Sequence, residues 1–286
     1  MTEILPYGRT RGAVVDSLAA AERILTKLRH DPAGLVVTLS APLVLVVAFG
    51  YIIGSAIQVP GGGYREYLIP GLFVLIAVSI IPPLVTMSRD AQLGVVDRYR
   101  SMPISRTAVP FGQALATSVY GLVNFVLMGL CGLLVGWRFD RGVWRLAAAL
   151  GLLLLVQFAM TWVGLYLGLV LRSQEAAGQL SLVVLPIAMV SNLMVPTGGM
   201  PTWLRTIAEW NPVSALGQAV RELCGNPTAP DAGAWPLAHP ITATLLYAAV
   251  ILAIFVPATT RRFARRPARN WPKTTKPARA PMGEAA

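Results

Sequence analysis

Six stretches of this chain contain no Asp, Glu, Lys, Arg or His, and the shortest is 21 residues long. They are Gly34–Tyr64, Tyr67–Ser88, Thr107–Trp137, Leu146–Leu171, Ala176–Leu204 and Pro240–Thr260. A helix needs about 20 apolar residues to cross about 30 Å of hydrocarbon. One charge at mid-bilayer costs about 2.5–3.5 kcal/mol even by the lenient measure of membrane insertion. Only 13% of the 286 residues are charged, whereas a soluble domain carries about a quarter. Barrel strands would alternate polar and apolar residues over about ten positions; these stretches run continuously through Leu, Val, Ala and Gly. The pattern predicts an all-α polytopic membrane protein with six transmembrane helices.

The net charge of +11 is distributed in a way that argues for membrane topology and against nucleic acid. Six spans put both termini on one side. With that side cytoplasmic, 18 of the 24 basic residues lie inside and 6 outside, as the positive-inside rule requires. One loop resists the rule: residues 138–145 hold Arg138, Arg141 and Arg145, with Asp140, on the outside. The chain divides into a cytoplasmic N-terminus (1–33), a six-helix transmembrane domain (34–260) and a basic, Pro-rich cytoplasmic tail (261–286), whose composition reads as disordered.

Local signals refine this outline. Over residues 12–30, Val14, Leu18, Ala21, Leu25 and Leu28 recur at helical spacing, with Arg23, Lys27 and Arg29 on other faces. This predicts an amphipathic interfacial helix lying on anionic membrane lipids, ended by Asp31-Pro32. Pro42, Pro82-Pro83 and Pro186 should kink or break their helices, because proline offers no N–H to the preceding turn. Gly164 and Gly168 form a small-xxx-small pair suited to close helix packing. After Gly198-Gly199, two short amphipathic pieces, Thr202–Trp210 and Val213–Leu223, predict an extracellular short-helix hairpin. Trp203 and Trp210 suit headgroup level, and the pair can re-enter the bilayer or lie flat on it. Cys131 and Cys224 read as isolated packing residues.

Chemistry is scarce. There is no H-E-x-x-H zinc motif, no G-x-x-x-x-G-K-[ST] phosphate loop and no paired intramembrane carboxylate. No nucleophile and base can be assembled, and the predicted spans lack the ionisable residue that ion-coupled carriers place in the membrane. Ser40, Ser79, Thr86, Met189, Asn192 and Met194 remain as candidate pathway-lining residues. Transport therefore points to energy supplied by another subunit. A self-sufficient carrier and a non-transport membrane enzyme or assembly factor stay open as alternatives.

The blocks LRHDPAGLVVTLSAPLVLVVAFGYIIGSAI, GVVDRYRSMPISRTAVPFGQALA and SNLMVPTGGMPTWLRTIAEWNPVSALGQAVREL resemble the three signature regions of ABC-2 type permeases, in particular the daunorubicin/doxorubicin-resistance branch of bacterial drug and lipid exporters. The resemblance covers residues 12–260. It implies a permease subunit with no ATP site of its own, with ATP and Mg bound by a partner ATPase dimer. A second permease chain, identical or related, would complete the pathway in a bacterial cell membrane. It also implies a cytoplasmic coupling helix between spans 2 and 3, over about 94–106, with Asp97, Arg98, Tyr99, Arg100, Ser101, Met102 and Pro103 meeting the ATPase. The residues agree with that role: the arginines can pair with acidic groups, Tyr99 and Met102 offer apolar anchors, and Pro103 ends the helix. Residues 12–30 would be the elbow helix. The hairpin would help seal the exit, with Glu209 and Glu222 as polar contacts. The cargo implied is hydrophobic or amphipathic.

Overall fold

The computed structural model describes residues 63–96, 98, 108–171, 175–180, 190–194, 200–228 and 233–265, with 44, 46 and 48 as single positions. The predicted elbow helix, nearly all of span 1, most of the 94–106 segment, the middle of span 5 and the basic tail lie outside the described residues.

Among the described residues every regular element is helical: α1 (Tyr64–Ala77), α2 (Ile81–Gln92), α3 (Ala108–Leu134), α4 (Val143–Val170), α5 (Thr202–Trp210), α6 (Pro212–Cys224), α7 (Trp235–Ala238) and α8 (Pro240–Arg265). Four helical segments among the described residues are long and apolar enough to cross a membrane: Tyr64–Gln92, Val109–Leu134, Val143–Val170 and Pro240–Ala264. They correspond to the predicted spans 2, 3, 4 and 6. This is a multi-pass membrane protein. The Tyr64–Gln92 segment is the most enclosed, with 67% of its apolar window buried against 17% for Pro240–Ala264, so the former runs through the centre and the latter along the rim.

Span 2 is interrupted where the prolines predicted. Residues 78–80 leave the helix between α1 and α2. Pro82 and Pro83 have no N–H to give to the carbonyls of Val78 and Ser79, so the ladder cannot run through. The break and the turn after it rest on α4 at Gly164 and Gly168. A Cβ at Gly164 would stand 2.7 Å from the Ile80 carbonyl oxygen and 2.7 Å from Pro83 Cγ. One at Gly168 would stand 2.7 Å from Met87 Cβ and 2.8 Å from the Leu84 oxygen. The glycines are there because backbone meets backbone, which is what close helix approach demands.

Chain direction sorts the helix ends. The starts of α1, α4 and α8 and the end of α3 lie at one end of the bundle. The end of α2, the start of α3 and the ends of α4 and α8 lie at the other. The short hairpin belongs to the first end and the 94–106 segment to the second. Each end has its own apolar core. At the hairpin end, Tyr67, Leu72, Phe73, Phe125, Leu153 and Leu216 pack together. At the other, Met87, Val96, Trp162, Leu165, Leu169 and Phe263 form a separate cluster.

Candidate functional site

At the hairpin end the structure builds a polar node that the sequence did not announce. Asn211 caps α6, its side chain accepting from Val213 N at 2.9 Å and donating to the Val190 carbonyl at 2.8 Å. With Pro212 at the first helical position, this start matches the sequence signal. Beyond the cap, α6 is buried without interruption from Ser214 to Arg221. A helix lying flat on an interface would keep one face exposed, so α6 is inserted among α1, α4 and α8. The corner joining α5 to α6 sits against α8: Tyr247 of α8 donates to the Trp210 carbonyl at 3.1 Å. Tyr247 lies seven residues past the start of α8, about 10 Å along its axis. The far end of α6 returns to the rim, where Asp140 N meets the Cys224 carbonyl at 3.1 Å. The hairpin therefore dips into the bundle and comes back.

Arg221, near the end of α6, is fully buried. Its Nε donates to the Tyr67 carbonyl at 3.1 Å, and Nη2 donates to the carbonyls of Asn192 at 3.1 Å and Leu193 at 2.8 Å. A longer contact of 3.4 Å joins Nη1 to Asn192 Oδ1. The guanidinium lies 3.6 Å from the Tyr67 ring centroid, in cation–π geometry. Burying an unpaired charge costs several kcal/mol. Among the described residues Arg221 has no carboxylate partner, so these oxygens and the ring offset the cost. The planar fork suits this work, since its five donors are fixed in direction and can serve several carbonyls at once.

Two of these carbonyls come from residues 190–194, an irregular stretch at the end of predicted span 5. Tyr64 Oη donates to the Met194 carbonyl at 3.0 Å, Tyr67 Oη donates to the Asn192 carbonyl, and Asn192 N donates to Ser214 Oγ at 3.0 Å. Backbone outside a helix at membrane depth must find such partners. Two glycines let it through: a Cβ at Gly71 would stand 2.5 Å from the Leu193 oxygen, and one at Gly217 would stand 2.8 Å from Leu193 Cδ2. The node thus ties α1, the 190–194 segment and α6 into one unit.

The predicted site residues separate widely. Asn192 is fully buried within the node, and Met194 is half-buried there through its carbonyl. Ser79 sits in the break between α1 and α2, half-buried, while Thr86 is exposed on α2. Trp203 and Trp210 are exposed on α5. Glu209 is buried and pairs with Arg205 Nε at 2.6 Å, whereas Glu222 is exposed. Of the 94–106 segment, the described part shows its beginning. Gly94 adopts φ +72° after α2, the left-handed turn that ends helices. Residues 95, 96 and 98 are helical again, Arg98 N donates to the Gly94 carbonyl at 3.0 Å, and the Arg98 side chain is exposed. Val96 is 2% exposed in the lower core, so this new helical turn is anchored to the bundle. Asp97, Tyr99, Arg100, Ser101, Met102, Pro103, Arg23, Lys27, Arg29, Ser40 and Met189 lie outside the described residues.

Sequence reasoning passed over Arg221, Tyr64, Tyr67 and Ser214. By the charge count Arg221 lies outside, and Tyr67 opens the uncharged stretch of span 2. The available signal was weak: an arginine at the end of a helix rich in Ala, Gly and Ser, where small residues permit burial.

Comparison with known proteins follows the same blocks. The sequence profile of the ABC-2 type transporter family matches residues 17–224. The chain is 28% identical to the daunorubicin resistance ABC transporter permease protein of Streptomyces coeruleorubidus, over 89% of this chain and 88% of the relative. It is 26% identical to the doxorubicin resistance ABC transporter permease protein of Mycobacterium tuberculosis strain H37Rv, over 80% of this chain and 82% of that one. A putative transport permease of Porphyra purpurea is 27% identical over 73% of each chain. The matched region runs from the N-terminal segment through the break in span 2 to the buried arginine, and on that extent the chain belongs to the ABC-2 type transporter family, as the membrane subunit of an ABC exporter that works with an ATPase partner.

Proposed function

We propose that this chain is the six-span permease half of an exporter that moves a hydrophobic or amphipathic compound, an antibiotic or a lipid-like metabolite, out of a bacterial cell. A separate ATPase dimer binds ATP and Mg and docks on the segment 94–106. Two permease chains, identical or related, enclose the pathway in the plasma membrane, with both termini cytoplasmic and the α5–α6 hairpin outside. The names of the relatives support the class of cargo. The apolar character of the candidate pathway residues agrees with it.

The observation that carries this reading is mechanical. The turn that opens the 94–106 segment continues directly from α2, and Val96 is packed into the lower core. Motion imposed there passes first to α2, which is joined to α1 through residues that have no helical ladder. The break at 78–80 lets α2 tilt while α1 stays held by the Arg221 node. Exposed Arg98, with Arg100, orients the docking through acidic groups on the ATPase, and Tyr99, Met102 and Pro103 shape it.

The test is co-expression with the ATPase subunit and measurement of cargo-stimulated ATP hydrolysis and export. The double substitution Arg98→Glu with Arg100→Glu should abolish co-purification of the ATPase, or reduce coupled hydrolysis about tenfold or more, since opposed like charges cost several kcal/mol. Membrane insertion should be unchanged. Export at the wild-type rate by this variant would refute docking at 94–106, and failure of any ATPase to bind the unmodified chain would refute the exporter mechanism.

A further inference from the structure

The arginines of the loop 138–145 contradict the charge bias of the whole chain, and neither the node nor the coupling segment uses them. Near two of them, Arg141 and Arg145, the bundle has an apolar cavity of about 280 Å³ on its outer flank. Its walls include Ala148, Gly151, Leu152 and Leu155 of α4, Leu223 of α6 and Leu245 of α8. It is open sideways: Ala148, Gly151 and Leu245 are exposed, and a Cβ at Gly151 would meet nothing within 4 Å. Arg145 lies three residues before Ala148 and seven before Leu152, so it shares their face of α4 one turn nearer the rim. Arg141 reaches the same mouth from the other side, with its Cγ 2.9 Å from where a Gly225 Cβ would stand, two residues beyond Leu223.

We propose that this cleft is a binding site for one anionic phospholipid of the leaflet facing the hairpin. One acyl chain lies in the apolar cleft between α4, α6 and α8, and the phosphate sits between Arg141 and Arg145. The occupant follows from the combination of features. A lateral apolar cleft within a membrane meets acyl chains, and two arginine forks at its mouth select a phosphate that carries net negative charge. Arg138, also exposed, adds to the field; among the described residues Asp140 and Glu222 are the exposed carboxylates at this end, so the described arginines are in excess. Trp144 and Trp235 are 89% and 45% exposed, as indole rings at headgroup level are. The rule against basic residues outside is broken here because the loop holds a lipid in place. That lipid is retained as part of the structure and is not the cargo.

Native mass spectrometry of the full-length chain released from detergent tests this without any ATPase, so its outcome is independent of the exporter mechanism. Phosphatidylglycerol and phosphatidylcholine are added back separately after delipidation. The unmodified chain should retain one phosphatidylglycerol with about tenfold preference over phosphatidylcholine, and its melting temperature should rise only with the former. Arg141→Gln with Arg145→Gln should retain the two lipids equally. Gly151→Leu, which fills the open cleft without displacing a neighbour, should reduce retention of both. Melting of the lipid-free variants at the wild-type temperature establishes that they fold. Equal retention by the unmodified chain, or an undiminished preference in the double variant, overturns the site. Unchanged retention in Gly151→Leu overturns the placement of the acyl chain.

Discussion

Two regions of this bundle face the same problem, backbone that cannot be helical inside a membrane protein, and they solve it in opposite ways. At residues 78–80 the ladder fails because Pro82 and Pro83 lack N–H groups, and the interruption is pressed against Gly164. At residues 190–194 the chain turns away from a helix, and its carbonyls are served by a buried arginine and two tyrosines. The first solution leaves helical segments joined by a compliant link, with packing as the restraint. The second fastens three segments with directional bonds around a charge that cannot be left unpaired. A seam held by packing can slide by small amounts, whereas a node of charge-assisted bonds moves as a block or comes apart. The proposed exporter mechanism uses both kinds of behaviour, a compliant link next to the 94–106 segment and a held unit at the hairpin end.

The comparison can be broken most forcefully at the node. Arg221→Leu removes the guanidinium donors to the Tyr67, Asn192 and Leu193 carbonyls and should destabilise the protein by about 3–5 kcal/mol through loss of a buried hydrogen-bond network, read as a large fall in melting temperature and in the yield of monodisperse protein. A shift within the error of the melt would show that the node is dispensable. Next in size is the seam: Gly164→Ala brings a Cβ against the Ile80 carbonyl and should cost about 1–3 kcal/mol. It should also impair export beyond the loss expected from stability alone, measured as export per folded molecule. The smallest expected change in stability sharpens the contrast instead. Replacing Pro82 and Pro83 together by Ala restores donors to Val78 and Ser79 and should alter stability by less than about 1 kcal/mol. The link would stiffen, so ATP hydrolysis should continue with less cargo moved per ATP. Unaltered coupling in that variant would show that the break transmits nothing.

Much of the architecture was legible from residue order. The uncharged stretches located the four described spans, the proline pair marked the break, and the glycine pair marked the seam. Asn211-Pro212 marked the start of α6 because a cap needs a short polar side chain and the next residue can spare its N–H. The structure put Thr202 at the first helical position of α5, with Pro201 before it as a cap that makes no side-chain bond. What one sequence could not reveal was the destination of α6. Its apolar and small residues fit a surface helix or an inserted one equally well. The choice depends on whether Arg221 finds acceptors, and those come from residues 28 and 154 positions away in the chain.

The division has a physical basis. Membrane insertion, helix breaking by proline, capping and the approach allowed by glycine depend on side-chain chemistry within a few residues, so the sequence alone determined that this chain crosses a membrane repeatedly, where span 2 breaks and where α4 lets that break approach closely. Burial of a charge depends on oxygens gathered from distant segments, and a lateral cleft depends on three helices failing to close. Those were decided only when α1, α4, α6 and α8 packed, which is why an arginine that looked like a surface residue became the centre of the hairpin end.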